Sequence, residues 1–404
     1  MIYHKSWNRE WLQMKFQGLV IGVPTEIMKG ERRVAAMPDT VKKMTAEGAK
    51  VLVQKGAGEG SYFHDEEYSA AGAEIVDNVE DLFARADIIL KVKEPIFNDA
   101  VGKHEVDMMH EGQCIITFLH PAAPANHQMV QDMAAKGVIS LTLDGIPRIS
   151  RAQTMDALTS MSTVAGYKAC LMAANRLPKF MPMVGTAVGM IKPSTVTVIG
   201  TGIAGLQAVA TAKRLGAVVN SIDIRPDANE QAKSLGAKVV DVGVPSEIAI
   251  APGGYAAKLP DEWLEKERET VKPVVIDSDI VITAALIPGK LAPVIVTEEM
   301  VKAMRPGSAI VDIAIDQGGN VEITQPGEVI EKYGVSIDGT KNIPGMMPTA
   351  STWMFANNIY NYTANLVKDG KIDLNLDDEI IKSSLVTRDG QIVHEGAREA
   401  MNMK

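Results

Sequence analysis

Residues 195–225, TVTVIGTGIAGLQAVATAKRLGAVVNSIDIR, predict a strand, a glycine-rich turn, a helix and a second strand. The β-branched run TVTVI has the length of a buried parallel strand, and apolar residues recur at helical spacing in LQAVATAKRLGA. Gly200 permits a tight turn, Gly202 lets the backbone approach a pyrophosphate, and Gly205 lets the helix pack close to the strand. This order of elements predicts a doubly wound fold that binds a dinucleotide at the helix N-terminus. The alternative is a glycine-rich turn in another doubly wound fold.

An acidic residue follows the second predicted strand. Asp223 stands about 20 residues beyond the glycines, where a carboxylate accepts hydrogen bonds from an adenosine ribose. Its charge also repels a 2′-phosphate, which favours NAD over NADP, although Arg225 weakens that preference. The residues assigned to cofactor binding from this stretch are Gly200, Gly202, Ile203, Ala204, Gly205, Asp223, Ile224 and Arg225.

The composition is typical of a globular enzyme with two or three domains. The chain has 404 residues, of which 46% are hydrophobic and 23% charged. A net charge of −9 and the lack of Lys/Arg runs argue against a nucleic-acid partner. Cys114 and Cys170 stand in apolar contexts, which favours reduced thiols in a cytoplasmic protein over a disulfide or a metal site. We expect no signal peptide and no membrane span, because the longest candidate, residues 180–191, is short and glycine-rich.

Strand and helix patterns alternate before and after the glycine-rich stretch. Strands are predicted at 19–23, 50–54, 88–92, 114–118 and 138–143, and in the nucleotide domain at 239–240, 280–283 and 309–313. A helix within 349–370 and a tail hairpin turning at Asp389 and Gly390 are expected to return to the first domain. The predicted fold is α/β with two Rossmann-like domains. The NAD-binding domain, 156–344, is inserted into a discontinuous domain of 1–155 and 345–404. Residues 1–17, with Trp7 and Trp11, are expected to form a surface appendage or an interfacial helix.

Four polar residues stand near predicted strand ends or loops that lead into helices: Arg33, Lys93, His120 and Asp316. Ligands in open α/β sheets bind outside the carboxyl ends of the strands, so these side chains can converge on one cleft. Each also has an ordinary alternative, respectively a surface ion pair, a solvated strand end, a core histidine and a turn residue. Together they are the groups that reduction of a 2-keto acid requires. A guanidinium binds the carboxylate, a cation polarises the carbonyl and a histidine moves the proton.

Several motifs resemble one family, alanine dehydrogenase and the NAD-binding alpha component of proton-translocating NAD(P) transhydrogenase, over nearly all of residues 18–395. IGVPTE, LKVKEP, TFLHPAA and VDIAIDQGG are similar to alanine dehydrogenase. That resemblance implies that Arg33 holds a substrate carboxylate, Lys93 binds and polarises the carbonyl, His120 is the general acid/base and Asp316 is an acidic partner. It also implies that Met161 and Asn342 line the nicotinamide and substrate side.

Other stretches resemble the transhydrogenase component. In PRISRAQTMDALTS, residues Arg148, Gln153 and Asp156 match the loop which that component places over the nicotinamide. ITAALIPGK, which contains the cofactor-site residues Ala285 and Leu286, also resembles it. GGYA, residues 253–256, is similar to a mobile loop that folds over bound nucleotide with Tyr255 at its tip. The alternative for GGYA is a plain surface excursion.

The chain therefore mixes two patterns, and three hypotheses follow. Transhydrogenase components commonly lack the equivalents of Lys93 and Asp316, both present here, while Thr163 stands where they usually carry an amide. We first expect an NAD-dependent dehydrogenase that interconverts an L-amino acid and its 2-keto acid, or reduces a related imine. The second hypothesis is the transhydrogenase alpha subunit, with membrane and NADP-binding subunits as partners. The third is a nucleotide-binding regulator without turnover. The resemblance also implies a homo-oligomer.

Overall fold

A computed structural model describes residues 14–251, 254–287 and 291–403. Trp7 and Trp11, in the predicted appendage, lie outside these ranges. Internal contacts divide the chain into two compact units. The first comprises Met1–Leu158 and Pro348–Lys404, and the second comprises Thr159–Met347. The expected boundaries were 155/156 and 344/345.

The strands are, in chain order, β1 (Val20–Val23), β2 (Lys50–Gln54), β3 (Glu74–Val76), β4 (Ile88–Leu90), β5 (Phe97–Asn98), β6 (Lys103–His104), β7 (Cys114–Thr117), β8 (Ile139–Thr142), β9 (Val184–Thr186), β10 (Gly189–Ile191), β11 (Thr195–Ile199), β12 (Val218–Ile222), β13 (Lys238–Val239), β14 (Ile280–Thr283), β15 (Ala309–Asp312), β16 (Val329–Lys332), β17 (Val335–Asp338), β18 (Val367–Lys368), β19 (Lys371–Ile372), β20 (Leu385–Arg388) and β21 (Gln391–Ile392).

The α-helices are α1 (Pro38–Ala46), α2 (Asp65–Ala70), α3 (Val79–Arg85), α4 (Glu105–Met108), α5 (His127–Ala135), α6 (Ala157–Arg176), α7 (Ile203–Arg214), α8 (Pro226–Ser234), α9 (Ser246–Ala249), α10 (Asp261–Ile276), α11 (Glu298–Ala303), α12 (Pro348–Leu366), α13 (Glu379–Ser384) and α14 (Glu395–Ala400). Short 3₁₀ helices cover Glu59–Ser61, Pro124–Asn126, Leu143–Gly145, Ser150–Met155, Ile313–Gln317 and Ile343–Met346.

The first unit is built on a sheet with the strand order β21-β20-β8-β7-β4-β1-β2-β3. The six strands from β8 to β3 in that order run parallel, and β20 adds antiparallel to β8. β20 and β21 form a hairpin, and Asp389 and Gly390 between them both have positive φ. β4 and β7 are buried along their whole length, as expected for strands of a parallel sheet that is covered on both faces.

The second unit has the strand order β13-β12-β11-β14-β15-β17-β16, parallel except for β16. The chain steps from β11 to β12 on one side, and β14 lies on the other side of β11. This reversal of strand order at β11 creates a topological switch point, where doubly wound sheets bind ligands. The predicted α/β fold with Rossmann-like parallel sheets is confirmed.

Close backbone contacts fix the start of α7. A Cβ atom added to Gly205 would lie 1.9 Å from the carbonyl oxygen of Gly200, so only glycine lets α7 begin against the end of β11. A Cβ added to Gly166 in α6 would lie 1.9 Å from the carbonyl oxygen of Ala204. Two glycines, one of them outside the fingerprint, therefore hold the first turn of α7 in place.

We expect Gly166→Ala to destabilise the protein by about 1–3 kcal/mol, the usual cost of overpacking. In a helix without that contact the same change stabilises by about 1 kcal/mol, so the sign of the effect is diagnostic. The measurement is chemical denaturation. Gly185→Ala is the control, because a Cβ there meets only Met190 Cγ, at 3.9 Å. An unchanged or higher free energy of unfolding for Gly166→Ala would contradict the close contact.

Candidate functional site

The turn after β11 leaves space and donors for a diphosphate. Gly200 has φ +84°, and a Cβ there would lie 2.5 Å from the backbone nitrogen of Ala285. Gly202 caps α7, and a Cβ at that position would meet only Arg225 Nη2, at 3.8 Å. The buried Thr201 Oγ1 has no hydrogen-bond partner among the described residues. An open backbone, an unpaired hydroxyl and the N-terminus of a 12-residue helix fit a pyrophosphate group.

The acid after β12 is tied to this turn. Asp223 is 6% exposed, and its Oδ2 accepts a hydrogen bond from the backbone N–H of Thr201 at 2.8 Å. Arg225 donates to the same carboxylate through Nε at 3.0 Å and Nη2 at 2.9 Å. The structure therefore places the cation of Arg225 on Asp223. The next residue, Ile224, lines a cavity of about 480 Å³.

That cavity has the size and the partly apolar walls that an adenosine group needs. It is lined by Ile224, Pro226, Asn229, Val239, Asp241, Gly243, Val244 and Pro245. All of these residues follow the carboxyl ends of β12 and β13 or belong to the strand end and the helix beside them. Together with the glycine turn, the cavity forms a continuous candidate site for a dinucleotide within the second unit.

The ends of β14 and β15 are fixed by residues that sequence analysis missed. Asn320 accepts a hydrogen bond from the backbone N–H of Ala285 at 2.9 Å and donates to its carbonyl oxygen at 2.8 Å. Buried Asp312 accepts hydrogen bonds from Thr283 Oγ1 at 2.9 Å and from the backbone N–H of Asn320 at 2.9 Å. This network holds Ala285 beside Gly200. The only available sequence signal was the position of Asp312 at the end of a hydrophobic strand.

Two of the predicted substrate-side residues lie together in the second unit. Asp316 is exposed in the Ile313–Gln317 helix, and its Oδ2 accepts a hydrogen bond from the backbone N–H of Asn342 at 3.4 Å. Asn342 has φ +53° at the start of the next 3₁₀ helix. Met161 is buried in α6. Their roles toward a substrate stay predictions.

The GGYA segment folds as a narrow loop. Ile250 and Ala256 form an antiparallel bridge, and the backbone N–H of Ala251 donates to the carbonyl oxygen of Tyr255 at 2.8 Å. Tyr255 is half-buried. Gly253 of the motif lies outside the described residues. Leu286, the other hydrophobic residue assigned to the cofactor side, is exposed after β14.

In the first unit, Arg33 is buried in an ion pair. Its side chain is 2% exposed, and Nε and Nη2 donate to the two oxygens of Glu31 at 2.7 and 2.5 Å. The alternative of a surface pair is wrong, because both side chains are inside the protein. The fork-on-fork geometry fixes the guanidinium plane. Binding of a substrate carboxylate by Arg33 stays a prediction.

Lys93 follows a segment that is held by a buried carboxylate. Glu26 accepts hydrogen bonds from the backbone N–H groups of Val92 at 2.6 Å and Lys93 at 3.3 Å. Lys91 Nζ lies 3.5 Å from Glu26 and 2.8 Å from Glu105, all three being buried. Burial raises the pKa of Glu26 to about 7, although Lys91 opposes the shift. Sequence analysis missed Glu26, since a glutamate after a strand carries no distinctive signal.

His120 forms a dyad with Asp144, a residue that sequence analysis also missed. Its side chain is 43% exposed, so the core-histidine alternative is wrong. Asp144 lies 2.7 Å from Nδ1 and also accepts the backbone N–H of His120 at 2.7 Å. The carboxylate raises the pKa of His120. Burial raises the pKa of Asp144, but the His120 ring outweighs this and lowers it to about 2. Nε2 has no partner among the described residues and is available for proton transfer.

The Arg148–Gln153–Asp156 segment is fastened to the C-terminal part of the first unit. Arg148 and Gln153 are exposed, and Asp156 is half-buried, next to the Ser150–Met155 helix. Arg151 pairs with Asp378, and Asn358 Nδ2 donates to the carbonyl oxygen of Thr154 at 2.9 Å. The segment is thus held at both its side chains and its backbone.

Both halves of the sequence match one family. Residues 22–165 match the alanine dehydrogenase/PNT N-terminal domain, and residues 169–395 match the C-terminal domain of the same family. The chain belongs to this family. The predicted family resemblance, the oxidoreductase class and the NAD cofactor are thereby confirmed.

Relatives of both kinds cover almost the whole chain. It is 41% identical over 377 residues to the first of the separate alpha polypeptides of NAD(P) transhydrogenase from Rhodospirillum rubrum, covering 93% of this chain and 97% of that protein. It is 34% identical over 387 residues to alanine dehydrogenase of Bacillus subtilis strain 168, covering 93% of each. A solved transhydrogenase structure from Sinorhizobium meliloti has a TM-score of 0.80 at 37% identity, covering 93% of this chain and all of that one. These relatives do not specifically favour the dehydrogenase hypothesis.

Among the described residues, no helix combines the length and the apolar character that crossing a bilayer requires. Cys114 and Cys170 are both buried and carry free thiols.

We expect Asp144→Asn to lower the pKa of His120, because the carboxylate is the largest cause of its elevation. The ion pair stabilises the fold while Asp144 is ionised and His120 protonated. The loss of stability in the variant should therefore be largest near pH 5 and shrink as pH rises through the elevated pKa. NMR titration and denaturation at several pH values measure both effects. His64, whose pKa is raised by Glu59, is the internal control. An unshifted His120 would refute the dyad.

Proposed function

We propose that this chain is the NAD(H)-binding alpha component of a proton-translocating NAD(P) transhydrogenase, which passes hydride to NADP bound on a partner subunit. The partner subunits would be separate polypeptides that span the membrane and bind NADP(H). The higher identity to the Rhodospirillum rubrum alpha polypeptide, together with near-complete coverage of both chains, supports this proposal over the dehydrogenase.

The structural observation that carries the proposal is the loop around Tyr255. A component that exchanges hydride with a second nucleotide needs a cover that closes over its own nucleotide and excludes water during transfer. The bridge between Ile250 and Ala256 makes a narrow loop of this kind in the unit that holds the glycine turn. An alanine-type substrate site does not require such an excursion.

The residues of this chain bind and orient the cofactor, and bound NAD(H) supplies the hydride chemistry. The turn at Gly200–Gly202 and the start of α7 hold the diphosphate. Asp223 accepts hydrogen bonds from the adenosine ribose, and the cavity beside Ile224 takes the base. Asn320 keeps Ala285 against the glycine turn, which fixes the floor of the site.

The test is hydride transfer from NADH to an NADP analogue of distinct absorbance, with membranes carrying the partner subunits. We expect transfer that needs both the chain and the membranes, and that slows about tenfold or more in Tyr255→Ala, the scale of a misplaced reacting group. Tyr333→Ala is the control, because Tyr333 is exposed after β16 in the same unit. The isolated chain should bind NADH but leave 2-keto acids unreduced. Membrane-independent turnover would refute the proposal.

A second candidate, an amino-acid dehydrogenase, is favoured by the His120–Asp144 dyad. Asp144 orients the imidazole and leaves Nε2 for proton exchange, while Lys93 affects the charge of the same ring. These are the parts that a keto-acid reductase needs. NADH oxidation by the isolated chain with a panel of 2-keto acids and ammonium, lost in both His120→Ala and Lys93→Ala, would establish this activity.

Under either function, Asp223→Ala should weaken NADH binding without unfolding the protein. The change removes the ribose acceptor and releases Arg225 and the Thr201 N–H. We expect an affinity loss of about tenfold or more, equivalent to one charged hydrogen bond of about 1.5–3 kcal/mol. Fluorescence titration with NADH measures it, and Asp227→Ala, an exposed acid in the first turn of α8, is the control. Equal affinities would remove the ribose assignment.

A further inference from the structure

The charge of Asp223 is largely compensated within the protein. Arg225 donates to its carboxylate through Nε and Nη2, and the backbone N–H groups of Thr201 and Arg225 donate to it as well. The ion pair is neutral overall, so its repulsion of a 2′-phosphate is reduced. The same pairing occupies the guanidinium that would otherwise attract that phosphate. This arrangement leaves the choice between NAD and NADP to other charges nearby.

A second carboxylate, that of Glu267, lies on the buried face of α10. It is 5% exposed and stands four residues before Val271 and eight before Val275, both fully buried. That face of α10 packs in the cluster that contains Ile222, at the end of β12. The cluster also includes Ile224 and Val244, which line the adenosine cavity. Glu267 is therefore directed toward the end of β12, where Asp223 follows.

Glu267 has no hydrogen-bond partner among the residues that the structure describes. The neighbouring Arg268 does not neutralise it by direct pairing, because its guanidinium donates to the carbonyl oxygen of Val294 and to Glu265. A buried carboxylate without a partner is costly and is retained where its charge or its proton has a use.

We propose that Glu267 is a second acidic residue beside the adenosine ribose and that it sets the preference of this chain for NAD(H) over NADP(H). In its ionised form it adds an uncompensated negative charge next to the site of the 2′-phosphate. The inference rests on NAD(H) binding and holds for either proposed activity. For a transhydrogenase component it would keep NADP(H) off the NAD(H) side of the exchange.

The preference should depend on pH. Burial raises the pKa of Glu267 to about 7, the charge of Asp223 adds to that effect, and Arg268 opposes it. The other charged groups at this end of the unit are Arg225, which is paired with Asp223, and Asp241 at the cavity. As pH rises from 6 to 8, Glu267 loses its proton and its charge increasingly repels the 2′-phosphate. The ratio of the NADPH to the NADH dissociation constant should therefore rise over this window.

The test is titration of the full chain with NADH and NADPH, followed by fluorescence, at pH 6, 7 and 8. We expect Glu267→Gln to tighten NADPH binding by about tenfold at pH 8, the scale of one nearby charge, and to leave NADH binding nearly unchanged. The component of the pH dependence caused by Glu267 should vanish. Ionisation of the 2′-phosphate itself, with a pKa near 6, affects every variant equally.

The matched control is Glu269→Gln, which makes the same charge change at an exposed position of the same helix. Thermal denaturation checks that both variants are folded. An NADPH-to-NADH ratio and pH profile that are the same in Glu267→Gln as in the wild type and in Glu269→Gln would overturn the inference. Failure of the wild type to bind NADH would instead refute the cofactor site itself.

Discussion

The constraint on which the nucleotide-binding unit depends is close backbone packing around the first turn of α7. Gly205 lies against the carbonyl of Gly200, Gly200 against the backbone of Ala285, and Gly166 of α6 against the carbonyl of Ala204. Because none of these contacts leaves space for a Cβ atom, the turn sits directly between β11, β14 and α6. The N-terminus of α7 is consequently held at the switch point of the sheet, with its backbone donors facing outward.

The strand ends around both candidate sites carry buried charged groups, most with dedicated partners. Glu26 binds two backbone N–H groups and Lys91, Asp144 orients His120, and Asp312 fixes Asn320. Such groups are stable inside a protein only when they are hydrogen-bonded or paired. Glu267 is the exception in the second unit, and that exception motivates its proposed role in cofactor choice.

The glycine fingerprint, the parallel strands and the family were predictable because they are local patterns. Period-2 and period-3.6 hydrophobicity, glycines at fixed offsets and an acid after a strand can be read from one sequence. Residues such as Glu26, Asp144, Asn320 and Glu267 were not predictable. Their importance comes from partners 66, 24, 35 and about 44 positions away along the chain, brought close only by strand pairing and helix packing. For the same reason Arg225 was read as a nearby cation when its guanidinium is paired with Asp223.

The sequence by itself determined that this chain is an α/β protein of two Rossmann-like halves, that it uses NAD and that it belongs to the alanine dehydrogenase and transhydrogenase family. These properties follow from short-range patterns that the backbone imposes on any sequence of this fold. Only the tertiary structure decided which charges neutralise each other and which stay unpaired. Charge compensation depends on distances across strands and helices, and those distances do not exist until the chain has folded.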